Sequence, residues 1–242
     1  MESKMFDSKF KKIQKLFNEL SPEEKEKFLK ENSEVFEKNK AENQEKRKKL
    51  EKLYDSYLKK MKEINFLETI INFFADKDYR EEVISKAVEM DIPDNRIPFL
   101  FITTKSYLGV NGLMSLVHNG DKKGVSYLSP NEIKDIVEVP EKGLYVIYDV
   151  ENGKEILGKS PRESEELIKK EGRSCLTSDE GINLCIFTKV LSDHYVDCTG
   201  SRYEVDRVPF VGLYDDEVPK LGWFDFDFSV GLWGSASCRS RS

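Results

Sequence analysis

The sequence predicts an α+β protein, in which a helical N-terminal arm precedes a mixed, mostly antiparallel sheet domain with several helices. Three observations predict this class. Apolar residues recur at helical spacing through the first third of the chain. Helix-capping patterns alternate with short β-branched runs in the middle, and aromatic, strand-like runs bounded by glycines fill the last third. Because a β-hairpin is expected in the middle and the final strands cluster, a doubly wound parallel sheet is disfavoured.

The expected boundary lies in a linker-like segment, DIPDNRIP, at residues 91–98. It divides the chain into a helical arm over residues 1–92 and an α+β globular domain over residues 93–242. Residues 1–92 contain 21 basic and 21 acidic side chains, and residues 93–242 contain 18 basic and 24 acidic ones. The net charge of −6 therefore lies entirely in the second part. An acidic domain does not attract a phosphate backbone, so nucleic-acid binding is disfavoured.

Composition also restricts compartment and cofactors. No apolar run is long enough for a membrane span, and the first residues lack the apolar core of a secretory signal. The four cysteines, Cys175, Cys185, Cys198 and Cys238, are scattered, so we expect free thiols in the cytoplasm. The cysteines and the two histidines lack zinc-ligand spacing, and we expect no metal and no cofactor.

The arm begins with a predicted amphipathic helix over residues 1–20. A capping box at Ser21 and Glu24 starts the next helix, whose apolar face contains Phe28, Leu29, Val35 and Phe36. Residues 37–49 have only one apolar side chain, so we expect either a solvent-bridging helix or a hinge there. The basic run at residues 46–49 is expected to be a solvated helix face.

A long helix with a broad apolar stripe is predicted over residues 50–74, and a shorter one, capped by Asp78, over residues 79–90. Two long helices with facing stripes predict an antiparallel hairpin of the coiled-coil type. This hairpin either packs on the globular domain or mediates self-association with a second copy.

The globular domain contains predicted strands and helices in mixed order. The strands are residues 99–103, 125–128, 143–150, 208–214 and 221–228, and residues 151–154 form a hairpin turn with 155–157 as the partner strand. The helices begin at Asn111, Ser129, Ser160 and Thr177, and His118 is expected near the C-terminal end of the first.

Several strings in this domain resemble a widespread bacterial family of uncharacterised proteins, known as a domain of unknown function. They are GRSCLTSDEGINL at 172–184, GSRYEVDRVPFVGL at 200–213, PKLGW at 219–223 and GLWGSASC at 231–238. The resemblance covers about residues 97–239. The family is expected to have a polar loop that contains a histidine between the two tryptophans, and this chain has FDFDFSV there instead. It implies one globular unit and no particular reaction.

The candidate site consists of polar residues within these strings. Arginine presents a planar fork to carboxylate or phosphate oxygens, which favours a pocket for a small anionic ligand. Its predicted ligand-binding residues are Arg173, Glu180, Ser201, Arg202, Arg207 and Trp223. The alternative is that the arginines pair with acids such as Asp179, Glu180, Glu204 or Asp206 and only tie elements together. Trp223 and Trp233 are expected as core anchors rather than as platforms for stacking a ligand.

Candidates for catalysis are weaker. Glu180 and Cys238 are the weak candidates, and His194 is the one plausible base for the thiol. Asp225 and Asp227 are predicted to share one strand face, as paired acids or as the wet side of a half-buried strand. We therefore predict a ligand-binding or protein-interaction module with an arginine-lined pocket. The alternatives are an enzyme acting on a small anionic metabolite and an oligomeric structural adaptor.

Overall fold

A computed structural model describes residues 17, 19–31, 33–214 and 216–242. The helix predicted over residues 1–20 lies almost entirely outside the described residues. The side chains of Leu29, Val35 and Phe36 also lie outside them. The capping box of the following helix is confirmed, because Ser21 Oγ accepts from Glu24 N and Glu24 Oε2 accepts from Ser21 N at 2.9 Å.

The described elements confirm the α+β class. The helices are α1 Pro22–Glu31, α2 Ser33–Glu63, α3 Glu68–Ala75, α4 Lys77–Glu89, α5 Lys105–Met114, α6 Pro161–Lys170 and α7 Ser178–Phe187. The strands are β1 Ile97–Thr103, β2 His118–Asn119, β3 Lys122–Lys123, β4 Val125–Ser126, β5 Ile133–Asp135, β6 Leu144–Val150, β7 Ser174–Cys175, β8 Tyr195–Asp197, β9 Ser201–Tyr203, β10 Arg207–Leu213, β11 Pro219–Asp225, β12 Trp233–Ser235, β13 Ser237–Cys238 and β14 Ser240–Arg241.

The C-terminal half of α2 packs on β1 through its apolar stripe. The ring of Tyr54 lies 4.6 Å from that of Phe101, and the ring of Tyr57 lies 5.9 Å from that of Phe99. Helix α2 also lies antiparallel to the short helix α4, while the hairpin of two long helices stays a prediction. Lys46 on α2 donates to Val88 O near the end of α4, and Asp55 pairs with Arg80 near its start. The stripe is therefore used within the chain, while pairing with a second copy stays a prediction.

Two helix boundaries in this part differ from expectation. The helix predicted over residues 50–74 is broken, since α2 ends at Glu63, Asn65 has a φ of 60°, and α3 begins at Glu68. The cap of α4 is Asp76 rather than Asp78, because the Asp76 carboxylate accepts from the backbone of residues 78 and 79. Residues 37–49 continue α2 as an exposed helix, which confirms the solvent-bridging alternative.

Two main sheets form the globular part. The first has the order β1-β6-β14 and is antiparallel. The second has the order β12-β8-β10-β11-β4, with β9 joining β10 to β5. It is mixed, because the β12–β8 and β11–β4 pairs are parallel and its other pairs are antiparallel. Helix α7 contacts both β1 and β10, and all ten of its residues are buried. The prediction of a mixed, mostly antiparallel sheet domain is confirmed.

Three predicted elements in the middle of the chain are wrong. The helix expected from Asn111 runs earlier, as α5, and His118 lies on the exposed strand β2, beyond the reach of the helix dipole. Ser129 opens only a short 3-10 turn, because Ile133 enters β5. Residues 151–157 form no hairpin: Glu151 pairs with Ser237, and residues 154–156 form a 3-10 turn.

The final strand is also shorter than predicted. Strand β11 ends at Asp225, and the Phe228 backbone turns back to donate to Asp225 O. Asp227 therefore lies outside the strand and forms an ion pair with Arg162 instead of sharing a strand face with Asp225.

The boundary proposed between residues 92 and 93 stays a prediction. Across the described part of the chain, no helix combines the length and apolarity that crossing a membrane requires.

We expect Tyr57→Ala to lower the free energy of unfolding by about 3–5 kcal/mol, because it leaves a cavity between α2 and β1. Lys59→Ala, on the exposed side of the same helix, is the matched control and should leave stability unchanged. Urea denaturation followed by circular dichroism measures both. Equal midpoints for Tyr57→Ala and the parent protein would contradict the packing of α2 on β1.

Candidate functional site

Arg173, at the start of β7, is a buried cross-link. Its Nη1 donates to Asp149 Oδ2 at 3.1 Å and its Nε donates to Ser237 Oγ at 2.9 Å. Asp149 is fully buried, has a φ of 51°, and also contacts Arg239 at 2.9 Å and Arg96 at 3.5 Å. A buried carboxylate requires such partners. The Arg173 side chain therefore joins β6, β7 and β13.

Glu180 is also fully engaged. Its carboxylate accepts from Arg241 Nε at 2.7 Å and Nη2 at 2.9 Å, from the Tyr145 hydroxyl at 3.0 Å and from Thr177 N at 2.8 Å. Arg241 also donates to Cys175 O at 2.9 Å. This bidentate pair fastens the C-terminal strand to the N-terminal end of α7.

Ser201 and Arg202 lie together on β9. The Ser201 hydroxyl donates to Asp135 at 2.6 Å and accepts from Ser178 N at 2.8 Å. Arg202 donates to Glu165 Oε2 at 2.6 Å and to Thr199 O at 2.8 Å, and its guanidinium lies 4.2 Å from the Phe226 ring centroid. Arg202 therefore connects β9 to α6.

Arg207 and Trp223 form a separate pair on β10 and β11. The guanidinium lies 3.6 Å from the indole centroid, and Nη1 donates to Glu204 at 2.6 Å. Trp223 is 39% exposed, so the expectation of a core anchor is wrong for this residue. Trp233 does pack in a small cluster, with ring centroids 4.3 Å from Phe210 and 4.2 Å from Phe224.

One of the predicted arginines, Arg173, lines a small cavity, which we name the Cys175 cavity. It has a volume of about 110 Å³, and its lining residues are Ile136, Val137, Glu165, Lys169, Arg173, Ser174, Cys175 and Thr199. Arg202 does not line it but bonds to two lining residues, through Glu165 Oε2 and Thr199 O. Glu180 bonds to Arg241, which in turn donates to the lining residue Cys175. Arg207 and Trp223 do not line it. The part that each predicted residue plays in ligand binding stays a prediction.

Thr199 is a polar group in this cavity that the sequence analysis missed. Its side chain is fully buried, and its hydroxyl makes no hydrogen bond of ordinary geometry. A buried hydroxyl without a partner costs free energy, and native proteins mostly avoid it. The position directly precedes the GSRYEVDRVPFVGL string, which is the signal that could have identified it.

Glu165 and Lys169, one turn apart on α6, form the charged rim of the cavity. Burial raises the pKa of Glu165, but hydrogen bonds and charge from Lys169 and Arg202 outweigh it, and the net pKa is lowered. The hydrogen bond to Glu165 raises the pKa of Lys169. Both groups are therefore charged near neutral pH. Their spacing of four residues is visible in the sequence, but it is equally typical of any exposed helix pair.

The thiols are poorly placed for nucleophilic chemistry. Burial raises the pKa of Cys175, and the nearby Thr199 hydroxyl lowers it only in part. Cys238 is fully buried on β13, and burial raises its pKa to about 12. His194 is buried, and its Nε2 faces Asn152 O at 2.9 Å. All four cysteines are free and buried, which confirms the expectation of free thiols.

Asp197, on β8, is a second buried polar group, and its neighbouring polar side chain is Ser235 on the parallel strand β12. Side chains alternate along a strand. Cys198 Sγ approaches Gly181 on α7, so the side chain of Asp197, the residue before it on the strand, faces away from α7. Both carboxylate oxygens of Asp197 are buried without a hydrogen bond, and Ser235 Oγ lies near. Burial raises the pKa of Asp197 to about 8.

The described residues contain no cluster of histidine, cysteine and acidic side chains suited to a metal ion.

We expect Arg241→Met to lower the free energy of unfolding by about 3–5 kcal/mol, because it leaves the Glu180 carboxylate buried without its cation. The double variant Glu180→Gln/Arg241→Met, which removes both charges, should recover most of this loss. Guanidinium denaturation measures both. A loss in Arg241→Met that is no larger than in the double variant would argue against a structural ion pair.

Asp197→Asn should flatten the pH dependence of stability. Between pH values of about 3.8 and about 8 the folded protein keeps the Asp197 proton and the unfolded chain releases it, so the free energy of unfolding falls as pH rises. Asparagine removes this slope and raises stability at pH 8. Asp193→Asn, an exposed neighbour, is the control. Urea denaturation from pH 4 to pH 9 tests this, and an unchanged slope in Asp197→Asn would contradict it.

Comparisons with known proteins give one match. Residues 68–242 match a family of unknown function, DUF5701. The match begins earlier than the resemblance predicted from the sequence, and it includes α3 and α4. Neither a comparison with curated proteins nor one with solved structures gave a match. Because the match covers well over half of the chain, the chain belongs to DUF5701, a family of unknown function.

Proposed function

We propose that this protein is a ligand-binding module that takes a small anionic group in the Cys175 cavity. The observation that carries the proposal is the Thr199 hydroxyl, which is fully buried in the cavity wall and has only the Cys175 thiol, a weak hydrogen-bonding group, beside it. A bound oxygen atom would give this hydroxyl a stronger partner than the protein supplies. The hydroxyl would then contribute to affinity and orient the bound group.

The charges around the cavity favour an anion. Lys169 and Arg173 line the cavity and Arg202 bonds to its wall, against two carboxylates, Glu165 in the wall and Asp149 behind Arg173. Arg173 and Arg202 are held in place by their hydrogen bonds, so they act as fixed positive charges. Lys169 is 65% exposed and can turn from Glu165 toward an incoming ligand. Positive groups that are fixed before binding need little reorganisation, which favours affinity.

The volume limits the size of the bound group. A cavity of about 110 Å³ equals the share of about three or four water molecules at roughly 30 Å³ each. A phosphate, sulfate or carboxylate group fits this space, but a nucleotide does not. The ligand is therefore a small anion, or a larger molecule that inserts only its anionic group.

Two parts of the earlier hypotheses remain open as proposals. We keep the cytoplasm as the compartment, because four buried free thiols suit a reducing environment. The enzyme and adaptor alternatives stay predictions. The Glu180 carboxylate is paired with Arg241 and the Cys238 thiol is buried, and both facts argue against these two side chains as the reacting groups of an enzyme.

We expect inorganic phosphate to bind, and both Lys169→Met and Thr199→Val to weaken binding about tenfold, which corresponds to about 1.4 kcal/mol. Lys169→Met removes a positive charge that attracts the anion. Thr199→Val keeps the shape of the side chain but removes the hydroxyl that would hydrogen-bond to the anion. Isothermal titration calorimetry at fixed ionic strength measures the affinity, and thermal shift supports it because a ligand of the folded state raises the melting temperature.

Lys170→Met is the matched control. Lys170 is the next residue on α6, is exposed and does not line the cavity, so its loss should leave phosphate binding unchanged. The proposal fails if phosphate, sulfate and acetate all leave the protein unaffected. It also fails if binding weakens equally in Lys169→Met and Lys170→Met, since that would indicate a general charge effect.

A further inference from the structure

The wall of the Cys175 cavity contains a hydrogen-bond donor and an acceptor side by side. Lys169 and Glu165 both line the cavity, and Lys169 Nζ donates to Glu165 Oε1. Arg202 Nη2 donates to the other oxygen, Glu165 Oε2, at 2.6 Å. An ammonium group can only donate hydrogen bonds, and an ionised carboxylate can only accept them. A ligand that matches this wall therefore needs an acceptor for Lys169 and a donor for Glu165.

The two side chains of this pair are held with different firmness. The Lys169 side chain is 65% exposed, whereas that of Glu165 is 12% exposed and is also bonded to Arg202. When Lys169 turns toward a bound anion, Glu165 Oε1 loses the one hydrogen bond that the described residues give it. Little water reaches this oxygen, and a charged acceptor left unpaired costs free energy. The bound anion itself is the group that can replace the lost donor.

The charge of Glu165 decides which anions can do this. Burial raises the pKa of Glu165, but the hydrogen bonds and charges of Lys169 and Arg202 lower it by more, so the carboxylate is ionised near neutral pH. An anion oxygen without a proton is repelled there, because two acceptors of like charge face each other. A hydroxyl on the anion reverses the sign of this contact, because it donates to the carboxylate in a charge-assisted bond.

A small anion in the cavity cannot avoid Glu165. The cavity volume is only about 110 Å³, and of the described residues that line it Glu165 alone has a carboxylate. Burial raises the pKa of the Cys175 thiol, and the charges of Glu165, Lys169 and Arg202 also act on it, so these groups surround the same sulfur. The acceptor and the donors are therefore within reach of one bound ion.

We infer that Glu165 selects the bound anion by its proton, and that the Cys175 cavity takes an oxyanion that keeps a hydroxyl near neutral pH, namely hydrogenphosphate. This inference rests on the proposed anion site and deepens it. Hydrogenphosphate presents acceptor oxygens to Lys169 and to the Thr199 hydroxyl, and its P–OH group to Glu165. Sulfate has the same tetrahedral shape but no proton at neutral pH. The dianion of a phosphate monoester has also lost its proton, so the site favours free phosphate over a phosphorylated metabolite.

Calorimetry with inorganic phosphate and sulfate, at pH 7.5 and fixed ionic strength, tests the selection. We expect phosphate to bind at least about tenfold more tightly than sulfate. Glu165→Gln introduces an amide that can donate, so the ratio of the two affinities should fall about fivefold or more. A change in fold that weakens both anions alike leaves this ratio unchanged. Glu166→Gln, an exposed neighbour that does not line the cavity, is the matched control and should keep the ratio of the parent protein.

Methyl phosphate distinguishes an ester from free phosphate. The second pKa of a phosphate monoester is about 6, so methyl phosphate has a P–OH group in most molecules at pH 5.5 and in almost none at pH 8. Inorganic phosphate keeps one throughout this range. The affinity of methyl phosphate relative to inorganic phosphate should therefore fall about fivefold from pH 5.5 to pH 8 in the parent protein, and stay constant in Glu165→Gln.

The groups that face the cavity keep their charge state across this pH range. The pKa of Glu165 is lowered by its hydrogen bonds despite burial, and the hydrogen bond to Glu165 raises the pKa of Lys169. Burial raises the pKa of Cys175, so its thiol keeps its proton. The guanidinium groups of Arg173 and Arg202 stay protonated. A pH dependence of the affinity ratio therefore reports the proton on the ligand.

The outcomes separate this inference from the proposed function. If phosphate and sulfate bind the parent protein equally, or if Glu165→Gln keeps the parent's ratio, selection by Glu165 is wrong and the anion site stands. If methyl phosphate follows inorganic phosphate at every pH, the hydroxyl is not recognised and the inference is again wrong. If no anion binds at all, the proposed function fails, and this inference fails with it.

Discussion

The structure depends on the burial of α7 between two sheets. A helix buried on all sides must be apolar or have its polar groups paired, and α7 begins with two acids, Asp179 and Glu180. Glu180 is matched by Arg241, and Asp179 Oδ2 accepts from Lys105 N at 3.0 Å. Burial still raises the pKa of Asp179 to about 6. The glycine at position 181 is required, since Cys198 occupies the space of a side chain there.

The requirement to pair these buried charges explains the path of the last residues. Strand β13 pairs with β7, and β14 pairs with β6, so the final segment crosses from one sheet to the other. Along it, Arg239 contacts Asp149 and Arg241 contacts Glu180. These cations neutralise acids on β6 and α7 that would otherwise be costly to bury. The arginines of this domain are thus mainly structural, and they fix the walls of the Cys175 cavity through Arg173 and Arg202.

Helix α6 differs from α7 in how it is held. It lies over β7 and β12 with only three buried positions, Pro161, Ser164 and Ile168, and it has a cavity on each side. Unpartnered polar atoms occur at both helices, on Ser164 of α6 and on Ser178 and Asp179 of α7. Regions with few buried apolar contacts open at lower free energy than the core. The all-round burial of α7 gives the domain a rigid centre, and α6, with three buried positions, lies at its edge beside the Cys175 cavity.

The sequence by itself determined the α+β class, the capping boxes at Ser21, Ser160 and Thr177, and the strands β1, β6 and β10, because local periodicity and capping act within a few residues. It identified Arg173, which lines the Cys175 cavity, and Arg202, which bonds to its wall, but placed them with Arg207 and Trp223, which do neither. Only the tertiary structure decided that Glu151 pairs with Ser237 instead of turning into a hairpin, and that Thr199 and Ser164 are left without partners. Such outcomes depend on contacts between residues far apart in the chain, and local spacing holds no information about them.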